Sequence, residues 1–200
     1  MDRAVALQNL IEATSCLDSY GCTYWLSDGT LLGMVRENDF IAHDHDTDVA
    51  VLADTFTPNV IHELIRRRFH IVVTNGRVQD GLSITLERSN VRLDLFLYYS
   101  DKPHTVRYSC WKHFKLGRAY KVDYTYPEVV RTKKAFLGNE FWVPENAEKY
   151  LELEYGPDWR TPKKRWNGII DPCNKQVTDV VNYVYEDRKQ FNSWLNSCET

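Results

Sequence analysis

The chain has no run approaching the ~18–20 consecutive apolar residues that cross a membrane. Its first residues, MDRAVALQNLIEATSC, are interrupted by Asp2, Arg3, Gln8, Asn9 and Glu12, which excludes a secretory signal peptide. There is no Asn-x-Ser/Thr acceptor. The cysteines (Cys16, Cys22, Cys110, Cys173 and Cys198) are odd in number and show no C-x-x-C pair, zinc-type spacing or disulfide framework. These absences favour a reducing compartment, so the expected localisation is cytoplasmic. A strong excess of one charge is also lacking. Lys+Arg 25 against Asp+Glu 28 gives a net charge of -3, which argues against a nucleic-acid partner but not against a nucleotide as small ligand.

What is present is an ordinary globular composition: 200 residues, 43% hydrophobic and 26% charged. Such a chain builds one domain with a real core and needs no disulfide or structural metal. The spacing of Val5, Leu7, Leu10, Ile11, Thr14 and Leu17 predicts a helix over 3–19. Strands are expected at Cys22–Leu26, Asp48–Leu52, His70–Thr74, Leu82–Glu87 and Val91–Tyr99. Helices are expected from Thr30 to about Arg36, over Pro58–Phe69, over Pro144–Tyr155 and over Asn174–Asn196. The aromatic-rich stretch 103–143 reads as short strands and loops. The interleaving suggests an α+β (α/β-type) domain around one mixed sheet flanked by helices.

The most informative segment is Ile41-Ala-His-Asp-His-Asp-Thr-Asp-Val-Ala-Val-Leu52. In extended chain Asp44, Asp46 and Asp48 share one face, and His43, His45 and Thr47 the other. Neighbouring carboxylates would stand roughly 6.5–7 Å apart, given ~3.3 Å rise per residue. Each ionised pair then repels by about 2–2.5 kcal/mol at an effective dielectric of ~20. Either this is a solvated acidic loop, or a divalent cation compensates the repulsion. Oxygen-only ligands select Mg²⁺ or Mn²⁺. An EF-hand loop is excluded, since its sixth-position Gly and twelfth-position Glu are missing. Asp94 interrupts the apolar strand Val91–Tyr99 and needs a partner, either an arginine or the same cation.

Upstream, Trp25-Leu-Ser-Asp-Gly-Thr-Leu-Leu-Gly-Met-Val-Arg36 reads as strand, turn and helix. Gly29 permits close backbone approach, the helix start can hold a phosphate, and Arg36 can add a bidentate contact. Strand, small-residue turn, helix, D-x-D strand and later acidic strand, in that order, resemble the nucleotidyltransferase fold of the polymerase-beta type. The likeness is closer than fold level. Tyr24 to Ala50 resembles the LicD/fukutin signature W-L-x-x-G-T-L-L-G-x-V-R, a spacer, then I-P-W-D-x-D-x-D. Val143-Pro144, Tyr150-Leu151 and Tyr155-Gly-Pro-Asp-Trp159-x-x-Pro162 are similar to that family's closing element. The match spans roughly 20–162, and it departs at Ala42-His43, where the family often has Pro-Trp, and at Asp28, where it usually has Gly.

The resemblance implies transfer of a phospho-alcohol group (phosphocholine, or ribitol or glycerol phosphate) from a CDP-activated donor to a glycan hydroxyl. It implies Asp46, Asp48 and Asp94 as catalytic metal ligands, with two Mg²⁺ (or Mn²⁺) ions. It implies Ser27, Asp28, Gly29, Thr30, Arg36, Trp159 and Lys163 as substrate-binding residues. Trp111, Tyr120, Tyr124 and Trp159 either stack on a base or sugar or belong to the core. Lys163, Lys164 and Arg165 either meet an anionic acceptor or form a solvated face; His43 and His45 read as surface or supporting groups. The expected domains are a catalytic unit over 1–165 and a helical extension over 166–200 packed on it. Without the membrane anchor and zinc element of the Golgi members, the sequence reads as a minimal catalytic module. Transfer of a nucleotidyl group from an NTP to a small molecule or sugar, or mere carbohydrate or nucleotide binding, are the alternatives.

Overall fold

In the computed structural model the described residues are 1–115, 118–163, 165–168, 171–182 and 188–198; for 111–115, 118, 119, 181, 182 and 198 the backbone alone is described. The chain opens with helix α1 (Arg3–Ser19), whose first amides are capped by Asp2 Oδ1, accepting from Ala4 and Val5 at 3.0 and 3.1 Å. Strand β1 (Tyr24–Leu26) leads into α2 (Asp28–Glu37), then β2 (Asp46–Leu52) and α3 (Pro58–Arg66), which has proline in its first turn. Strands β3 (His70–Arg77), β4 (Asp80–Arg88) and β5 (Val91–Ser100) follow. Next come β6 (Thr105–Lys115), β7 (Arg118–Pro127), β8 (Arg131–Phe136), β9 (Asn139–Pro144), α4 (Ala147–Tyr155), β10 (Lys175–Asn182) and α5 (Arg188–Leu195).

The fold is α+β, a mixed sheet flanked by helices. Strand β5 is its centre. It pairs in parallel with β2 and antiparallel with β4, and its last residues, Tyr99 and Ser100, pass to β6. Beyond these lie β1 next to β2, β3 next to β4, and β7 and β10 next to β6; β8 and β9 form a separate hairpin.

The period-2 alternation of β5 explains the layers. Val91, Leu93, Leu95 and Leu97 are buried on one face. The β2–β5 register adds Thr47, Val49 and Val51 to that face, since Thr47 faces Leu93. Helix α1 covers it with Ala6, Leu10, Ala13 and Leu17, at helical spacing, and α3 adds Val60, Ile61 and Leu64. Asn9 Nδ2 donates to Arg88 O at 2.8 Å, tying α1 to the β4–β5 turn, where Ser89 and Asn90 have φ 53° and 61°. The opposite face carries Asp46, Asp48, Arg92, Asp94, Phe96 and Tyr98. Helices α2 and α4 pack together on that side.

Three expectations are corrected. Residues 103–143 hold two long hairpins rather than short strands and loops. The helix expected from Pro144 begins at Ala147, because Pro144 ends β9 and Asn146 caps the helix through Lys149 N at 3.2 Å. Residues 175–182 are not helical. The run Val177-Thr-Asp-Val-Val181, rich in β-branched residues, finds the free edge of β7, and among the described residues of 174–196 the α-helix is Arg188–Leu195. No helix among the described residues is long and apolar enough to cross a membrane.

Because Leu93 is fully buried between α1 and the sheet, Leu93→Ala should cost about 2–5 kcal/mol of unfolding free energy, read from urea denaturation midpoints.

Candidate active site

The β2–β5 pairing sets Asp48 directly across from Asp94, and Asp46 across from Arg92. Just ahead of β2, Asp44 sits in a turn closed by its own amide on Ile41 O at 3.0 Å. Asp44, Asp46 and Asp48 each offer a carboxylate oxygen, and these oxygens lie within 4.8 Å of one another. Asp94 flanks this group without belonging to it.

Helix α2 is fastened to this strand by a reciprocal pair of bonds. Asp48 N donates to Thr30 Oγ1 at 2.8 Å, and Thr30 N donates to Asp48 Oδ2 at 3.1 Å. Thr30 is 2% exposed. Both its amide and its hydroxyl are engaged with Asp48, and Thr30, named from the sequence as a substrate contact, is not among the residues lining the cleft. Ser27 is likewise buried at the β1–α2 junction, its amide donating to Asp48 O at 3.3 Å. Gly29 faces the cluster so closely that a Cβ there would collide with the Asp44 carboxylate.

The carboxylates open into a cleft of ≈ 590 Å³. One wall is Asp28, Gly29, Arg36, His43, Asp44, Asp46 and Asp48; the other is Tyr155, Trp159, Lys163, Arg165 and Trp166. Asp28, Gly29, Arg36, Trp159 and Lys163 are thus brought together as the sequence implied, whereas Ser27, Thr30 and Asp94 stand behind the cleft surface. Arg36 pairs with Glu37 at 2.5 Å. Lys163 Nζ donates to Tyr155 O at 3.2 Å, pairs with Asp158 at 3.1 Å and lies 5.1 Å from the Trp166 ring centre. The Arg160 guanidinium lies 4.2 Å from the Trp159 ring. Tyr124 is core, stacked on Tyr108 at 5.7 Å. The Trp111 side chain and Lys164 lie outside the described residues.

Burial pushes the Asp94 carboxyl up to about 6, against a Thr85 hydrogen bond that lowers it; the charges of Asp46 and Asp28 add to the rise. Burial, then Asp46, pushes Asp44 up to about 7. Asp48 is raised well above the ordinary range by burial, then by Asp28 and Asp46. Asp94 Oδ1 is buried and has no hydrogen-bond partner, and Asp94 forms no ion pair among the described residues. The arginine alternative for Asp94 therefore finds no support: Arg92 points to Glu87, at 3.7 Å. An orphaned carboxylate oxygen beside three converging carboxylates, all hard oxygen donors, suits Mg²⁺ or Mn²⁺.

The sequence reading set Asp44 on the right face but left it out of the ligand set. It quoted Tyr155 only as part of the closing element, and it missed Glu154 and Trp166 altogether. Glu154, in the run Leu151-Glu-Leu-Glu-Tyr155, is 3% exposed, and an acid on the buried side of an amphipathic helix was the available signal.

Comparison with known proteins identifies the family of the chain. Residues 21–146 match the family model described as LicD/FKTN/FKRP, nucleotidyltransferase domain. The chain is 27% identical over 179 residues to the ribitol-5-phosphate transferase FKTN of Mus musculus, covering 89% of this chain and 38% of that protein. It is 33% identical over 186 residues to an uncharacterized Caenorhabditis elegans protein, covering 82% and 48%. The human ribitol 5-phosphate transferase FKRP matches at 27% over 153 residues, covering 70% and 29%. The chain therefore spans less than half the length of these relatives. Among solved structures, the antibiotic-resistance factor ANT(2'')-Ia aligns with a TM-score of 0.46 and 8% identity, covering 71% of this chain and 66% of its own.

Two measurements probe the carboxylates. Asp44 and Asp94 have folded-state pKa values of about 7 and about 6, above the ~3.9 of an unfolded aspartate. The folded state thus holds protons that the unfolded state has released, and stability falls as pH rises through that window. The metal-free melting temperature should drop between pH 4 and about 7, and Mg²⁺ should restore it more at pH 8 than at pH 5. Separately, Thr30→Val removes the hydroxyl that fixes Asp48 and should weaken Mn²⁺ binding by about 10-fold or more in calorimetric titration.

Proposed function

Because the chain belongs to the LicD/FKTN/FKRP family, we propose that it is a metal-dependent transferase. It moves a phospho-alcohol group, such as phosphocholine or ribitol or glycerol phosphate, from a CDP-activated donor to a glycan hydroxyl. The observation that carries this reading is the convergence of Asp44, Asp46 and Asp48 beside the orphaned Asp94 oxygen, facing a cleft whose rim holds Arg36, Lys163 and Arg165. A cleft lined by both carboxylates and cations suits a ligand that is a diphosphate neutralised by a divalent ion.

Asp46 and Asp48 would hold the cations, with Asp44 and Asp94 completing the set. When bound, such ions supply Lewis-acid activation of a hydroxyl and neutralisation of a phosphate leaving group. The protein's own contribution is positioning. Thr30 fixes Asp48, and the absent side chain at Gly29 leaves room beside Asp44. Arg36 reaches the cleft from the last turn of α2 to steady the donor phosphates. Lys163 and Arg165, from the segment after Trp159, neutralise them from the other side. Trp159, 4% exposed, packs that segment down and lines the cleft. An acidic residue accepts the hydroxyl proton; Asp94, named as catalytic from the sequence, stands behind the cleft surface and would act by holding the cation rather than by direct contact. We place the reaction in the cytoplasm, on the cysteine and glycosylation arguments above.

Asp46→Ala and Asp48→Ala test the assignment. With CDP-choline, CDP-ribitol and CDP-glycerol as donors, each should lower Mg²⁺-dependent turnover by about 10²–10³-fold or more. CMP as the product supports the reading. Pyrophosphate released from an NTP would replace it with nucleotidyl transfer, and full activity in both variants would remove it.

A further inference from the structure

Asp28 begins α2 with φ +45°, in the left-handed region that glycine occupies freely and other residues occupy at a cost. Its side chain lines the cleft, yet it is not one of the three aspartates whose oxygens converge within 4.8 Å. Behind it stands Glu154, near the end of α4, 3% exposed. The two carboxyl groups are hydrogen-bonded to each other. Two carboxylates make that bond only when one of them holds a proton. Glu154 is the more enclosed of the two, and burial favours the neutral form. Tyr126 Oη donates to Glu154 Oε2 at 3.4 Å, and the Tyr155 side chain is hydrogen-bonded to Glu154 as well, so Asp28 shares this carboxyl with two phenols.

We propose that Glu154 is a positioning residue: its protonated carboxyl donates to Asp28 and holds it toward the cleft, where Asp28 accepts a hydrogen bond from a substrate hydroxyl. The proposal rests on the transferase reading above. A carboxylate outside the converging set, in a cleft it shares with Tyr155, suits a hydroxyl donor better than a phosphate, whose charge it would repel. The hydroxyl belongs either to the alcohol of the donor or to the acceptor.

A double-mutant cycle over Asp28→Gly and Glu154→Leu tests this, with Glu154→Gln as the conservative rescue. Glycine suits φ +45°, so Asp28→Gly should keep or raise the melting temperature while lowering kcat/KM by about 10–100-fold, the worth of a hydrogen bond to a charged group. Glu154→Leu should lose about as much, and the double variant should lose no more than Asp28→Gly alone. Glutamine can still donate to Asp28 and accept from Tyr126, so Glu154→Gln should stay within about 3-fold of the parent. If the double variant loses the product of the two single losses, or if Glu154→Gln falls as far as Glu154→Leu, the positioning role is overturned.

Binding of CDP-ribitol and of CMP to Asp28→Gly separates the sources. Weakened CDP-ribitol with unchanged CMP assigns the hydroxyl to the donor alcohol. If neither binding changes while kcat/KM falls, the hydroxyl is the acceptor's. Unchanged binding with unchanged kcat/KM overturns the contact. The carboxyl pair has a readout of its own, which survives if no CDP-alcohol turns over and the transferase reading fails. In infrared difference spectra of the Mg²⁺-loaded protein at neutral pH, Glu154→Gln should abolish one protonated-carboxyl C=O band. If no band is lost, the pair is overturned.

Discussion

Four carboxylates are held at one mouth of the sheet, and their mutual repulsion is the interaction to which the surrounding structure answers. Asp48 and Asp94 are neighbours across a parallel ladder, and Asp44 and Asp46 crowd the same end. At 4.8 Å one ionised pair repels by about 3.5 kcal/mol at an effective dielectric of ~20. No lysine or arginine among the described residues forms an ion pair with any of the four. The protein meets the repulsion by burial, which raises the Asp44, Asp48 and Asp94 carboxyls toward neutrality, and by the Thr30 bonds that keep Asp48 from turning away. A divalent ion completes the compensation in the reading adopted for the site.

The cost of that arrangement is offset on the other side of the same strands. Val49 and Val51 on β2, and Leu93, Leu95 and Leu97 on β5, alternate with the acidic and aromatic residues and lie buried under α1 and α3. Stability and chemistry are therefore assigned to opposite faces of one two-strand unit. A register slip of one residue would exchange them, driving Asp46 and Asp48 into the leucine layer and exposing the leucines. The apolar pattern that builds the core is thus also what fixes the spacing of Asp48 and Asp94.

Much of this is legible in the sequence because it depends on alternation. The D-x-D-x-D run and the single acid in Val91–Tyr99 carry their side-chain directions in a period of two, and both strands form with the implied faces. Gly29 and Arg36 are legible because a strand–turn–helix unit leaves few places for them. Residues whose role depends on contacts far along the chain are not. Thr30 looks like a phosphate contact from its neighbours in sequence; only the approach of β2 turns its hydroxyl to Asp48. Glu154 sits on the apolar stripe of α4 with Ala147, Tyr150 and Leu151, but only the packing of α4 against α2 shows what it meets. The helix expected over 175–182 fails for a related reason: local periodicity is weak there, and the free edge of β7 decides. Tertiary pairing overrides local preference most readily in β-branched segments.

The choice of groups behind the acids follows the same electrostatic logic. On the acidic side the sheet is backed by tyrosines. Tyr98 and Tyr150 share a hydrogen bond of 3.1 Å, Trp25 Nε1 donates to Tyr150 Oη at 3.4 Å, and the Tyr126 and Tyr150 rings stack at 4.5 Å. Burial raises these phenols well above their ordinary range, so they remain neutral donors and acceptors. A lysine or arginine in their place would pair with the carboxylates and abolish the excess negative charge of the cluster, on which the proposed cation binding depends. The cations of the cleft are instead kept on its rim and engaged with other partners: Arg36 with Glu37, Lys163 with Asp158 and the Tyr155 carbonyl. Positive charge lining the cleft yet bonded away from the acids leaves both kinds of group available, which is what the proposed phosphate donor with its metal would require.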